Sequence, residues 1–514
     1  MVNPRTLWAR ATEGEHSILL FGAFCVTLGA LIVAQSFFSP GAVLTCVLGI
    51  AFLILSVLRP TWTIAFLAVF LPFEPFLLKF IPDDIYVFAR YFSEVLVYLL
   101  ALVTLWRVVS GKIKRVPTPI DVPMVFFLII LLASTLINSV PVSIALLGAR
   151  QILRFILLYY IVIHLAPPTV FLRRLTYVLF GIAVFQSLLG LAQAVFGAPL
   201  DQFLLPAEMR TFGDITLTEG VEQFWDPGSR VFATLGRYDR LGNFLYLFLL
   251  FGVGLLYEPT VRKHRKELWW LFALGVPALL LTFSRASWFG FLLGFLFIAI
   301  AIRRDRRVMT AFLSFLLVAI GYLGLSGLNV RFITETSGQT LVERFYETFS
   351  YARWRGEYYG LGRVFWLVQT PLAVIPASPL FGFGPGQFGG GAAAALGNAR
   401  VYEQLGLPFG VFGTGGYIDN NWFSLWGETG TLGIVFYVWM FIALFRTAIR
   451  TYRVSPDPFT RAMAIGFAAI LIAVSFNAWL STILEIRTTA FYLWLYGGIV
   501  FLLERRKQET ANRL

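Results

Sequence analysis

The sequence predicts an all-α polytopic integral membrane protein of about 12 to 14 transmembrane helices, with a large, partly helical outer loop between the last three helices and the rest. Three observations carry that expectation. Of 514 residues, 58% are hydrophobic and 13% charged, with 52 Phe and a mean hydropathy of +0.76, whereas soluble domains carry roughly a quarter of charged residues. Apolar runs of about 17 to 25 residues, the length that crosses a bilayer as helix, recur almost throughout. Basic clusters occupy alternate connections between those runs.

Taken in order, the runs lie near 17–34, 41–58, 61–79, 91–109, 122–140, 143–163 and 175–197. A polar segment at 198–240 interrupts them. They resume near 241–257, 268–283, 286–302 and 308–326, and after a longer polar segment at 327–425 come 426–445, 462–483 and 487–503. The chain thus divides into 1–326 with eleven spans and the smaller loop at 198–240, a large loop at 327–425, and a C-terminal group of spans at 426–514. The first run resembles the apolar core of a signal peptide, but its length suits a retained anchor.

Orientation follows from Lys and Arg, which flanking short loops are held on the cytoplasmic side. Lys112, Lys114 and Arg115, Arg173 and Arg174, Arg262 to Lys266, Arg303 to Arg307, Arg446 to Arg453, and Arg505 to Lys507 all fall on one face if the chain crosses about fourteen times. Both termini then lie on that face. The net charge of +13 is read as an orientation signal, not as a nucleic-acid surface. His16, His164 and His264 sit at the cytoplasmic ends of spans, so the outer face has no imidazole for a zinc site or a general base. Cys25 and Cys46 lie inside spans and read as small apolar packing residues.

Chemistry is therefore expected on the two outer segments, because a loop of roughly a hundred residues is uncommon without a function. "TLVERFYETFSYARWRGEYYGLGRVFWLVQTPLAVI" mixes aromatic and charged residues at helical spacing and predicts interfacial helices. "FGFGPGQFGGGAAAALGNAR" follows. Gly384 to Gly389 match G-x-G-x-x-G, but no strand precedes them, and close backbone packing is the better account. "IDNNWFSLWGETGTLG" runs from polar into apolar sequence. Without histidine, acid–base work falls to Asp419 or Glu428, although Asp419 equally suits an N-cap of the next helix. The cations are Arg285 at a span's outer edge, Arg363 opening an amphipathic stretch, Arg230 in the shorter loop, and Arg150 and Arg154, which share a helix face inside a span. Snorkelling accounts for Arg285 and poorly for Arg154. Converging guanidinium groups suit a lipid that carries phosphate or diphosphate.

The order of "TFSRASW", "GRVFWLVQTPLAVIPASPLFGFGPGQF" and "DNNWFSLWGETGTLG" resembles the bacterial O-antigen ligase and O-antigen polymerase superfamily over about 270 to 445. The resemblance implies an enzyme of lipopolysaccharide assembly in the bacterial inner membrane. It implies transfer of an oligosaccharide from an undecaprenyl diphosphate donor at the periplasmic face, without metal or other cofactor. The acceptor would be a growing glycan chain or lipid A core, and a chain-length regulator and membrane lipids would be further partners. Asp419, Asn420, Gly430 and Gly433 match the ligase spacing, with Asp where ligases have His. The superfamily's arginine after a Thr/Ser pair falls on Arg285, and its arginine in the large-loop helix falls on Arg363.

On this reading Asp419, Arg285 and Arg363 are catalytic, Asn420 and Asn421 bind sugar hydroxyls, and Glu428, Arg230, Arg150 and Arg154 complete the substrate contacts. The missing His favours a polymerase of lipid-linked repeat units, an inverting glycosyltransferase. The matched spacing keeps open a ligase that passes the glycan to lipid A core or to a protein. A lipid-linked oligosaccharide flippase is the reading from another class, disfavoured by the one-sided loop and the lack of an internal repeat.

Overall fold

The computed structural model describes residues 40–206, 209–212, 215–218, 229–259, 265–333, 339–411 and 414–511. The first predicted span, His16, Cys25 and His264 lie outside them. The chain begins with α1 (Pro40–Leu58), α2 (Pro60–Phe70), α3 (Glu74–Leu78), α4 (Asp83–Val109), α5 (Asp121–Ile137), α6 (Val142–Leu153), α7 (Ile156–Leu165) and α8 (Thr169–Phe196). The shorter loop holds α9 (Ala198–Leu204) and a hairpin of β1 (Met209–Phe212) with β2 (Ile215–Thr218), paired antiparallel with Met209 opposite Thr218. Then come α10 (Tyr238–Leu256), α11 (Arg265–Leu281), α12 (Arg285–Leu296, carried on by a π turn to Ile302) and α13 (Arg306–Leu325). The large loop carries α14 (Gly327–Arg331), α15 (Leu341–Glu347), α16 (Tyr351–Tyr359), α17 (Arg363–Gln369, continuing to Ala377), α18 (Gly391–Ala395), α19 (Arg400–Gln404) and the short pair β3 (Gly410–Val411) and β4 (Thr414–Gly415). The chain closes with α20 (Asn421–Val454), α21 (Pro458–Asn477) and α22 (Arg487–Ala511).

Every predicted span within the described residues coincides with helix. Among the described residues, seven helices are long and apolar enough to cross a membrane, or eight if α6 and α7 form one span. The protein is an all-α multi-pass membrane protein apart from its two small hairpins. Three predicted spans differ in form. The run at 61–79 breaks between α2 and α3, where Pro72 supplies no N–H and Glu74 is buried. The run at 143–163 bends by 55° between α6 and α7. The run at 426–445 is the middle of a 34-residue helix interrupted at Gly430.

The core gathers around α10, which packs on α11, α12 and α21 and is buried on every side, as a helix apolar all round must be. Contact there is backbone to backbone: a Cβ on Gly254 would lie 2.4 Å from the Ala462 carbonyl oxygen. In contrast, α13 exposes Leu317, Val318 and Leu325 at 74%, 69% and 94%, a surface that hydrocarbon tolerates and water does not. The basic clusters meet at one end of the bundle. Arg173 pairs with Asp457, Arg303 and Arg461 share Glu258, Arg450 pairs with Glu504, and Arg506 donates to the carbonyls of Ala166 and Pro167.

At the other end the large loop has its own small core of Trp366, Val374, Phe388, Tyr402, Ile418 and Phe423. Its Gly-rich arm is pinned to α20. Gly430 adopts φ +69°, which breaks the helix ladder; Thr431 and Leu432 N–H donate instead to the carbonyls of Pro379 and Leu380, at 2.8 and 3.2 Å. Phe383 and Gly384 N–H donate to the carbonyls of Gly427 and Glu428, at 2.8 and 2.9 Å. The arm is thus closely packed backbone, and it fixes the turn that carries Asp419.

Candidate active site

Asp419 stands at φ +51°, a left-handed conformation that Asp tolerates better than most residues. The turn matters because it separates two neighbouring roles. Asn420, and not Asp419, caps α20: its Oδ1 accepts the Phe423 N–H at 3.0 Å. The Asp419 carboxylate is thereby left for Arg363, whose Nε and Nη2 both lie 3.3 Å from Oδ2. Arg363 opens α17, and its backbone N–H donates to Glu357 Oε2 at 2.8 Å.

This pair is set deep in the molecule, yet Arg363 and Asp419 keep 37% and 33% of their side-chain surface accessible. They therefore line a polar crevice. Burial works against the Arg363 charge, but Asp419, then Glu357 and Tyr238, outweigh it and hold the guanidinium above its ordinary range. Arg237 is raised likewise: burial opposes its charge, while Asp239 and Tyr238 lead the groups that sustain it, with Asp419 also contributing. It pairs with Asp239 at 3.1 Å. Arg230 lies over the Tyr238 ring, 4.4 Å from its centroid. Tyr417 is pushed up to about 12, first by burial and then by Glu485, so its phenol remains a donor at neutral pH.

Arg285 is placed differently from the expectation of an open phosphate contact. It starts α12, and its Nη1 lies 3.0 Å from Oε1 of Glu347, a carboxylate with no accessible surface. Arg344 and Arg353 meet the same carboxylate at 2.9 and 3.4 Å. Arg285 remains within electrostatic reach of Arg363.

The other predicted residues are engaged by the protein itself. Glu428 is buried, and its Oε1 accepts the Gly386 N–H at 2.8 Å, clasping the Gly-rich arm. Asn421 receives the Leu484 N–H on Oδ1 at 2.7 Å and reaches Glu485 through Nδ2 at 3.4 Å. Arg150 makes a bidentate pair with Glu94. Arg154 spans the bend between α6 and α7, donating to the Glu485 carbonyl at 2.7 Å and to Glu94 at 3.4 Å. Asn420 differs, because its Nδ2 is buried without a partner.

Several residues of the site escaped the sequence reading: Glu347, Glu357, Arg237, Tyr417 and Glu485. One had a visible signal, since "GRYDR" sets alternating charge directly before an apolar span. The rest are ordinary polar residues until the fold brings them together. Among the described residues, no group of three or more His, Cys, Asp or Glu side chains is arranged to hold a metal ion.

The fold and crevice define a multi-pass membrane protein with arginines and a carboxylate at the mouth of its bundle. Residues 270–438 match the family described as O-antigen ligase. The match covers well under half of the chain, from α11 to α20, and it includes Arg285, Glu347, Arg363 and Asp419. Over that stretch the chain is similar to the O-antigen ligase family. No curated protein gives a significant match.

Proposed function

We propose that the protein is an inverting glycosyltransferase that polymerises undecaprenyl-diphosphate-linked repeat units at the periplasmic face of the bacterial inner membrane, both termini being cytoplasmic. The observation that carries this reading is the Arg363–Asp419 pair, partly open, with Arg237 within electrostatic reach of Asp419. Arg363 and Arg237 bind the donor diphosphate and stabilise the charge that develops as it leaves. Arg285 supports them from behind by its positive field. Asp419 takes the proton of the acceptor sugar hydroxyl as that oxygen attacks the anomeric carbon from the face opposite the leaving diphosphate. The Tyr417 hydroxyl is a donor available to sugar oxygens. No step needs a metal, because the arginines supply the counter-charge.

A second reading, the ligase that passes the glycan to lipid A core, is favoured by the description of the matching family and by the spacing of Asp419, Asn420, Gly430 and Gly433. One experiment separates them. The purified protein is incubated with a lipid-diphosphate-linked repeat unit alone, and then with lipid A core added. A ladder of products without core supports the polymerase. Product only with core supports the ligase, and no product in either tube refutes both.

A further inference from the structure

Arg363 and the supporting Arg285 lie on separate elements, and something must hold them at a fixed spacing against their own repulsion. The structure shows a continuous ionic relay that does so. Arg285, at the start of α12, meets Glu347 at the end of α15. Glu347 meets Arg353 on α16 at 3.4 Å, and Arg353 pairs with Glu357, four residues further along that helix. Glu357 Oε2 then accepts the backbone N–H of Arg363 at 2.8 Å. The contact is so close that a Cβ on Gly362 would lie 2.2 Å from the same oxygen. Arg363 ends the relay on Asp419.

Two features mark this relay as more than surface ion pairing. Glu347 has no accessible surface, and a buried carboxylate is strongly destabilising unless its partners are well placed. Exposed pairs, by comparison, contribute little. Also, the relay joins a helix of the bundle to the loop helices beside the packing of Phe289 on Phe345, and its Glu357 bond sets the first residue of α17. The direction in which Arg363 leaves the backbone is thereby fixed relative to α12.

We propose that Glu347 and Glu357 are positioning residues for donor binding: anchored on Arg285, they hold α15 and α16 so that Arg363 faces Asp419 across the crevice. Neither carboxylate touches the donor. This inference rests on the donor-diphosphate reading of the site given above.

The test uses the full-length protein in detergent, with undecaprenyl diphosphate as the probe and thermal unfolding measured beside affinity. In Glu347→Gln and Glu357→Gln, the folded protein is expected to bind the probe at least about tenfold more weakly, the scale of misplacing one charge-assisted contact. Glu357→Gln added to Glu347→Gln is expected to cost little more than Glu347→Gln alone, because both cut the same relay. Should Glu347→Gln fail to fold, Glu357→Gln decides, since Glu357 keeps 18% of its surface accessible and loses less when neutralised. A lower unfolding temperature with unchanged probe affinity in the folded variants would overturn the proposal and leave the glycosyltransferase reading standing. Wild-type protein that binds no undecaprenyl diphosphate would overturn that reading and this inference with it.

Discussion

At the scale of single residues, the proposed chemistry rests on Arg363 and Asp419, which pair and keep about a third of their surface open. Replacing Arg363 by Ala, or Asp419 by Asn, is expected to lower turnover about 100- to 1000-fold, the usual cost of losing one preorganised group. Thermal stability should change little, because an ion pair with a third of its surface exposed adds at most about 1 kcal/mol. A variant retaining near wild-type turnover with either substitution would remove that residue from the mechanism. Glu485 behaves in the opposite way. Burial raises its carboxyl above the ordinary 4.5, against the Gly391, Gln151 and Arg154 groups that favour ionisation. A carboxyl raised in the fold stabilises the protein while protonated, and that contribution fades as pH climbs past 4.5 towards the folded value. Glu485→Gln, which stays neutral, should therefore match wild type in unfolding temperature near pH 4 and increasingly exceed it at higher pH. A pH-independent difference would refute the assignment.

At the scale of elements, α20 shows how an interruption builds a site. A Gly in a regular helix is a weakness that Ala relieves by roughly 1 kcal/mol. Gly430 predicts the reverse sign, because it sits at φ +69° with a would-be Cβ 2.3 Å from the Leu380 carbonyl carbon. Gly430→Ala should lower stability by about 2 kcal/mol or more from left-handed strain and overpacking, read as a drop in unfolding temperature. A rise would mean that α20 runs on unbroken. Glu428→Ala should likewise cost about 1 to 3 kcal/mol by stranding the buried Gly386 N–H. Much of this was legible: the apolar runs located the helices, and Gly430 and Gly433 stood out by spacing. The partner of each polar residue was not. Asp419 and Asn420 are both good cap residues in sequence, and only the φ of Asp419 gave the cap to its neighbour and the carboxylate to Arg363.

At the scale of the whole molecule, the large loop and the basic clusters occupy opposite ends of the bundle, which makes orientation a measurable property. With both natural cysteines replaced, a cysteine at Tyr359, 74% exposed in the loop, should react with a membrane-impermeant maleimide added outside spheroplasts. One at Arg450, with 64% of its side chain accessible among the basic clusters, should react only after lysis. The reverse pattern would invert the topology and put the crevice on the side opposite to a periplasmic donor.

The sequence by itself determined the class of protein, the places of its helices and the one-sided basic clusters. These follow from length, apolarity and charge read along the chain, and no contact between distant residues is needed to see them. The tertiary structure alone decided which of the candidate charges face an open crevice. Arg285 and Arg363 look alike in sequence, but one is paired with a carboxylate that has no accessible surface and the other with a carboxylate one-third open. That difference comes from α15 and α16 folding back over the start of α12, a pairing across tens of residues that leaves no periodic trace in the sequence.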